Sequence, residues 1–279
     1  MSKLTKWSGS KDSQAKDIIK YFPKEINSYY EPFLGGGSVF LELLESDVVV
    51  NNFYLSDVNA ELIGIYRLIK EDPDTLIESY EEHHKEFNSK DIQYRKDYFK
   101  KVRDDFNFSK NAADFYFIMR TTTNGMPRYN KAQDFNNSCH FSRPGMNPDE
   151  VIKLITKYNK LFNKVGPIIN FTNCSYDSNL YYNNRKLNNE DLVYCDPPYE
   201  NTKGMYFGGF DNQTFIKWLN DSETKWALSY DGKVNEDKVS HIAPNYKRHE
   251  YLVSGNSSFR RVIGKSNDSI ISESLYLNY

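Results

Sequence analysis

Between residues 26 and 57 the chain passes through a short strand, three consecutive glycines, a helix and a second strand ending on an acid, an order few folds accept. Ile-Asn-Ser-Tyr-Tyr-Glu-Pro-Phe (26–33) reads as the strand, broken by Pro32 and by Gly35-Gly36-Gly37. Ser38 is expected to cap a helix through Val39, Phe40, Leu41, Leu43 and Leu44, whose spacing is helical. Val48 to Leu55 is the second strand, closed by Ser56-Asp57. This is the opening unit of a doubly wound α/β domain. Its glycines let backbone approach a ligand that a Cβ would repel. Asp57, twenty residues after Gly37, stands where a carboxylate can accept both hydroxyls of a ribose. The unit therefore reads as adenosine-binding. No GK[ST] follows, so it is not a P-loop, and Ser38, Val39 and Phe40 stand where a dinucleotide fingerprint needs its third glycine. With Glu31 just ahead of the turn, a cationic ligand suits it better than a pyrophosphate.

The rest of the 279 residues divides by texture. From about Glu61 to Met119 the sequence is charged and helix-forming, with Leu62, Ile65, Tyr66 and Ile69 on one face. A polar stretch from Thr121 to Pro148 is rich in Asn, Gly, Pro and Arg. The α/β pattern then returns: a helix opening at Asp149-Glu150, a strand at Pro167 to Thr172 and a buried strand at Leu192 to Cys195. Later strands are expected at Trp226 to Tyr230, Glu250 to Val253 and Ser274 to Tyr279. A helical insertion within a parallel-sheet domain accounts for the length. A net charge of −2 means that any polyanion must meet a local basic surface. No run of eighteen apolar residues could span a membrane, and the first thirty residues hold no apolar signal core. Cys139, Cys174 and Cys195 form no CxxC pair and read as reduced thiols of a cytoplasmic protein. His140, His241 and His249 have no metal spacing with them, so no metal is expected. His83-His84, in a charged helix, reads as exposed surface.

The second chemical motif is Asp196-Pro197-Pro198-Tyr199, at the end of the 192–195 strand, where open α/β sheets hold their ligands. Two prolines fix φ and remove two N–H donors, leaving a rigid corner that presents a carboxylate and carbonyls beside an aromatic plane. Such an acceptor pair suits a neutral –NH₂, such as the exocyclic amine of adenine or cytosine. That amine's lone pair is delocalised into the ring. Accepting both hydrogens favours the pyramidal geometry from which it can attack a methyl carbon. Tyr199 can stack on a base that has left its duplex.

Lys6-Trp7-Ser-Gly-Ser-Lys11, Glu31-Pro-Phe-Leu-Gly-Gly-Gly-Ser38, Leu55-Ser-Asp-Val-Asn59, Asn124-Gly-Met-Pro-Arg-Tyr-Asn130 and Asp196-Pro-Pro-Tyr199 stand in this order along nearly the whole chain. Together they resemble the DNA adenine methylase (Dam) family of S-adenosylmethionine-dependent adenine-N6 DNA methyltransferases. The resemblance implies a Rossmann-like methyltransferase sheet, residues 1–60 and 147–279, carrying an inserted, mainly helical DNA-recognition domain, residues 61–146. It implies S-adenosylmethionine as cofactor, surrounded by Trp7, Lys11, Phe33, Gly35, Gly36, Gly37, Asp57, Ser175, Tyr176 and Asp196. Asp196, Pro197 and Tyr199 become catalytic. Double-stranded DNA is the partner: Lys6 and Arg128 match positions that read guanine edges, and Asn124 matches a loop residue that enters the duplex as adenine leaves. Arg260 and Arg261, in a Gly/Ser loop, are candidates for phosphate contact. A GATC target follows from the same resemblance. Two departures stand against it: small Thr123 replaces a commonly aromatic wedge, and Phe135-Asn-Asn-Ser138 replaces an FNVP segment.

Three other readings stay open at this stage: a cytosine-N4 methyltransferase with the same acceptor pair, a nicotinamide-dependent oxidoreductase, and a DNA-binding module without activity. The methyltransferase reading makes two demands on the folded chain. The Asp196 carboxylate must stand at the mouth of the glycine turn, and it must not be buried against a lysine.

Overall fold

A computed structural model describes residues 4–164, 166–178, 187–199, 210–234, 237–238, 244–253 and 271–279. They fall into two compact units. One is built from residues 4–8 and 59–164, the other from the remaining described residues.

The second unit is a mixed sheet. Its strands are β1 (Glu25–Glu31), β2 (Val49–Asp57), β3 (Ile168–Asn173), β4 (Leu192–Cys195), β5 (Lys225–Val234), the two-residue β6 (Asp237–Lys238), β7 (Arg248–Val253) and β8 (Ile271–Leu277). The order is β3-β2-β1-β4-β5-β8-β7, with β6 beside β5. Strands β1 to β5 run parallel to one another, whereas β6 and β8 run antiparallel to β5 and β7 antiparallel to β8. The expected Rossmann-like α/β sheet is thus present, its parallel part extended at one edge by an antiparallel pair. Strand β4, Leu-Val-Tyr-Cys, is buried at every position, as a central parallel strand covered on both faces must be. Between β1 and β2 runs helix α2 (Ser38–Leu44), after the short α1 (Ala15–Ile19). On α2, Phe40 is fully buried and meets Phe53 of β2 and Phe171 of β3 edge-on, at 5.5 and 6.0 Å between centroids. Emptying that site would cost about 3–5 kcal/mol. Gly37, in a left-handed conformation, is the cap of α2; Ser38 is its first helical residue and turns its hydroxyl to Asp12 instead of capping.

The first unit is helical: α3 (Ala60–Glu71), α4 (Pro73–Phe87), α5 (Ile92–Ser109), α6 (Ala112–Thr121) and α7 (Pro148–Phe162), with a single 3-10 turn at Thr123–Gly125. Asn59, Asp72, Asp91, Asn111 and Asn147 each cap the helix they precede through a side-chain oxygen. The core is largely aromatic. Tyr80 is buried on α4, and its hydroxyl donates to the Met146 carbonyl while accepting from the Met146 N–H. His83 corrects the surface expectation: it stacks on Phe117, and its ring nitrogens meet the Tyr98 hydroxyl and the Asp114 carboxylate at 2.9 and 3.0 Å. His84 stacks on Tyr80. Both are part-buried because α4 turns this face toward α5 and α6.

Candidate active site

The C-terminal end of β1 leads into Phe33 and the glycine turn, that of β2 is Asp57, and that of β4 leads into Asp196 to Tyr199. Strand β1 pairs with β4 in the register Tyr30 to Val193, so Glu31-Pro32-Phe33 and Asp196 leave adjacent strands at the same end. The shared register brings the backbone of Asp196 to the end of the sheet at which the glycine turn begins, which is the side the first demand requires.

The glycine turn is drawn together by backbone bonds. Gly37 N–H donates to the Leu34 carbonyl (2.7 Å), and Leu34 N–H donates to the Ser56 carbonyl of β2 (2.9 Å). Gly35 N–H donates to the Asp57 carboxylate at 3.0 Å, tying the turn to the acid of the next strand. Gly35 and Gly37 both have positive φ, 47° and 66°, which glycine adopts without a Cβ clash. Phe33, just before the turn, lies nearly parallel to Tyr176 at 5.6 Å, and both rings meet Phe215 of helix α8 (Asn212–Asn220) edge-on. Ser175 opens the turn that carries Tyr176, its carbonyl accepting from Ser178 N–H. This unit thus brings Phe33, Gly35, Gly36, Gly37, Asp57 and Tyr176 into one neighbourhood of aromatic faces, glycine backbone and one carboxylate.

The second demand is overturned. Lys11 Nζ lies 2.7 Å from each carboxylate oxygen of Asp196, and its side chain is only 7% exposed against 19% for Asp196. The physical reason is desolvation. Burial pushes the Asp196 carboxyl up to about 6, and the ammonium of Lys11 acts against that by favouring the charged form. An unpaired carboxylate at this depth would take up a proton and lose its acceptor strength, so the expectation that no lysine adjoin it was misplaced. Lys11 also donates to the Gly9 carbonyl at 3.3 Å and lies over the Tyr199 ring at 5.1 Å. Pro197 is buried behind this corner, while Tyr199 is half-buried.

Two more acids complete the group: Glu31, read from the sequence only as an acid favouring a cationic ligand, and Glu273, which had no assigned role. Glu31 is buried; the Tyr29 hydroxyl donates to it at 2.7 Å, and burial, with the nearby Asp196 charge, raises its carboxyl to about 8. Glu273, on β8, accepts from the Tyr199 hydroxyl at 3.2 Å and lies 3.4 Å from Lys11 Nζ. Its only sequence signal was an acid sharing, by the two-residue period of a strand, the face of Leu275 and Leu277.

The remaining expectations fall in the helical unit or outside the described residues. Trp7 belongs to the segment preceding Ser8, whose N–H donates to the Gly125 carbonyl. Lys6 Nζ donates to the Thr122 carbonyl at 3.1 Å; burial lowers its pKa first, and the Arg143 and Arg120 charges lower it further. Asn124 is exposed and left-handed (φ 62°), as is the backbone of Gly125 beside Lys6 (φ 61°). Arg128 is exposed on a small ribbon closed by the Tyr129–Phe135 bridge, its carbonyl accepting from Asn136 N–H. Arg260 and Arg261 lie outside the described residues. Among the described residues no group of three or more His, Cys, Asp or Glu could hold a metal ion, and no helix is long and apolar enough to cross a membrane. The three cysteines are free thiols.

Comparison with known proteins adds an independent line. The family model for the D12 class N6 adenine-specific DNA methyltransferase matches residues 7–254. The chain is 33% identical over 238 residues to a type II methyltransferase, M.MjaIII, of Methanocaldococcus jannaschii, covering 81% of this chain and 78% of that one. It is 32% identical over 201 residues to the type II methyltransferase M1.LlaDCHI of Lactococcus lactis subsp. cremoris, and 29% identical over 198 residues to a DNA adenine methylase of Vibrio cholerae. Those alignments cover 70% of this chain and 65% and 64% of the two relatives, just under two thirds of each. Neither the oxidoreductase nor the cytosine-N4 reading is favoured by these matches.

Proposed function

The chain belongs to the D12 class N6 adenine-specific DNA methyltransferase family, and on that premise we propose that the corner at Asp196, Pro197 and Tyr199 seats a flipped adenine of double-stranded DNA for methylation at N6. The observation that carries this reading is the position of that corner, at the end of β4 beside the glycine turn that follows β1.

S-adenosylmethionine, when bound, supplies an electrophilic methyl group on a sulfonium. The residues present suit it. Asp57 offers a carboxylate to ribose hydroxyls, Phe33 and Tyr176 offer ring faces to an adenine, and Gly35, Gly36 and Gly37 offer backbone without side chains. Trp7, Lys11, Ser175 and Asp196 are assigned to the same cofactor site by their motif positions.

Asp196 accepts one N–H of the target amine, and the carbonyls of the donor-free Pro197-Pro198 turn offer a partner for the other. With both hydrogens held, the nitrogen lone pair is drawn out of conjugation and directed away from the carboxylate. As the N–C bond formed, the methyl–sulfur bond of the sulfonium would break to leave a neutral thioether; the nitrogen would then carry the positive charge and be acidic, and Asp196 is placed to receive the proton it sheds. Tyr199 supports the base by its ring face. No strong base is needed beforehand, which suits a carboxyl that burial pushes up only to about 6.

In this reading residues 1–60 and 147–279 form the catalytic part and 61–146 the target-recognition part. Lys6 and Arg128 read guanine edges, Asn124 enters the space the adenine leaves, and GATC is the target. A DNA substrate and three free thiols favour a cytoplasmic setting. The test is Asp196→Ala. Its methylation of unmodified genomic DNA should be abolished, with DNA binding by anisotropy unchanged. Retained turnover overturns the role given to Asp196. Sequencing modified bases after expression in a methylase-deficient host reads out base and target together.

A further inference from the structure

We propose that Glu273 is a positioning residue for methyl transfer: it is the second anion onto which Lys11 and Tyr199 settle, releasing Asp196 to receive the target amine. The inference rests on the reading of Asp196 as that amine's acceptor.

Both oxygens of Asp196 are engaged by one ammonium, at 2.7 Å each. An incoming amine therefore competes with Lys11 for the acceptor it needs. Lys11 cannot turn to water, because its side chain is 7% exposed, and a buried ammonium left without an anion is strongly disfavoured. Glu273 offers the alternative. Its side chain is 11% exposed, and its Oε2 lies 3.4 Å from Lys11 Nζ, so a small swing of the lysine exchanges one carboxylate for the other. The Tyr199 hydroxyl stands between the same two acids, 3.4 Å from Asp196 and 3.2 Å from Glu273. It has one proton to donate. Donated to Glu273, that proton fixes the ring beside the base and leaves Asp196 unoccupied on that side too.

Backbone geometry places the acid deliberately. Glu273 pairs with Gly232 of β5, across a register shift between Ser229 and Gly232, and it comes from β8, beyond the segment matched by the family model. Motif reading confined to residues 7–254 therefore does not reach it.

The experiment compares Glu273→Gln and Glu273→Asp with the unaltered chain and with Asp196→Ala. Readouts are methylation of unmodified genomic DNA under steady-state conditions, S-adenosylmethionine affinity by titration, and thermal unfolding. Glu273→Gln should lower kcat by about tenfold or more, the scale of a lost hydrogen bond to a charged group. KM for DNA and the cofactor Kd should stay within about twofold, since neither is set by the acceptor exchange. Glu273→Asp, which keeps the charge, should recover part of the rate. The inference is overturned if Glu273→Gln keeps its kcat. It is equally overturned if rate, cofactor affinity and melting temperature fall together without rescue by Asp, which marks a structural role. An active Asp196→Ala would instead remove the reading beneath it, whereas an inactive Asp196→Ala beside an unaffected Glu273→Gln removes the Glu273 inference alone.

Discussion

At the scale of single residues, the site is a small set of ionisable groups whose states are set by depth. Glu31 illustrates it. Its carboxyl is raised from an ordinary 4.5 to about 8, chiefly by burial, although the Tyr29 hydroxyl favours its charged form. Between those values the unfolded chain has lost this proton while the folded chain keeps it. The Glu31 contribution to folding stability is therefore fully present below about 4.5 and is lost as pH rises toward 8. Glu31→Gln, a neutral isostere, should flatten that decline, so that urea midpoints measured from pH 5 to 9 fall less for the variant. A decline of equal slope in both proteins would show that Glu31 is already ionised when folded. From sequence, the types at this scale were visible: Asp57, Asp196 and Tyr199 stood in motifs. Partners were not. The Lys11–Asp196 pair spans 185 positions, and no local pattern records which cation meets which acid.

Secondary-structure elements followed the sequence where periodicity and capping agreed. Strand β4 has the bounds its apolar run implied, and α3 to α6 occupy the stretch whose spacing was helical. Helix α8 was not named among the sequence expectations, although Asp211 caps it through Gln213 and Thr214 N–H groups and Phe215, Ile216 and Leu219 share its buried face. Helix α1, with five residues and no side-chain cap, leaves no such trace. Strand direction is the larger omission. Alternation and apolar runs say that β7 and β8 are strands, but not that they run against β5, because that is decided by the connections between them. The β5–β8 junction depends on one glycine. A Cβ on Gly232 would stand 1.9 Å from the Ser272 carbonyl oxygen, and the following backbone cannot yield without breaking the pairing. Gly232→Ala should destabilise the protein by about 2–4 kcal/mol and carry Glu273 out of register, measured by urea unfolding together with methylation rate. A stable, fully active Gly232→Ala would contradict this account of the junction.

For the molecule as a whole, charge decides how DNA is met. With a net charge of −2, no general attraction draws the chain to a polyanion, so under the proposed function binding must come from local cations, for which Lys6 and Arg128 are the candidates. Affinity for target DNA should fall steeply with salt. Arg128→Ala should cost about 1–3 kcal/mol of binding and relax specificity at one base position, if the side chain reads a guanine edge. Anisotropy titrations over a salt series, with target and single-substitution duplexes, check both. An equal loss on every duplex, with a shallower salt slope, would reassign Arg128 to phosphate.

The edge of the sheet carries one more consequence. Strands β2 and β3 are neighbours from Asn52–Ile168 to Asp57–Asn173, yet 116 positions separate their paired residues. A ribosome must therefore deliver the whole helical segment before this edge can knit, and contacts of such long range form slowly. The helices between have their own caps and their own aromatic interior, so they can organise while the sheet still waits for its third strand.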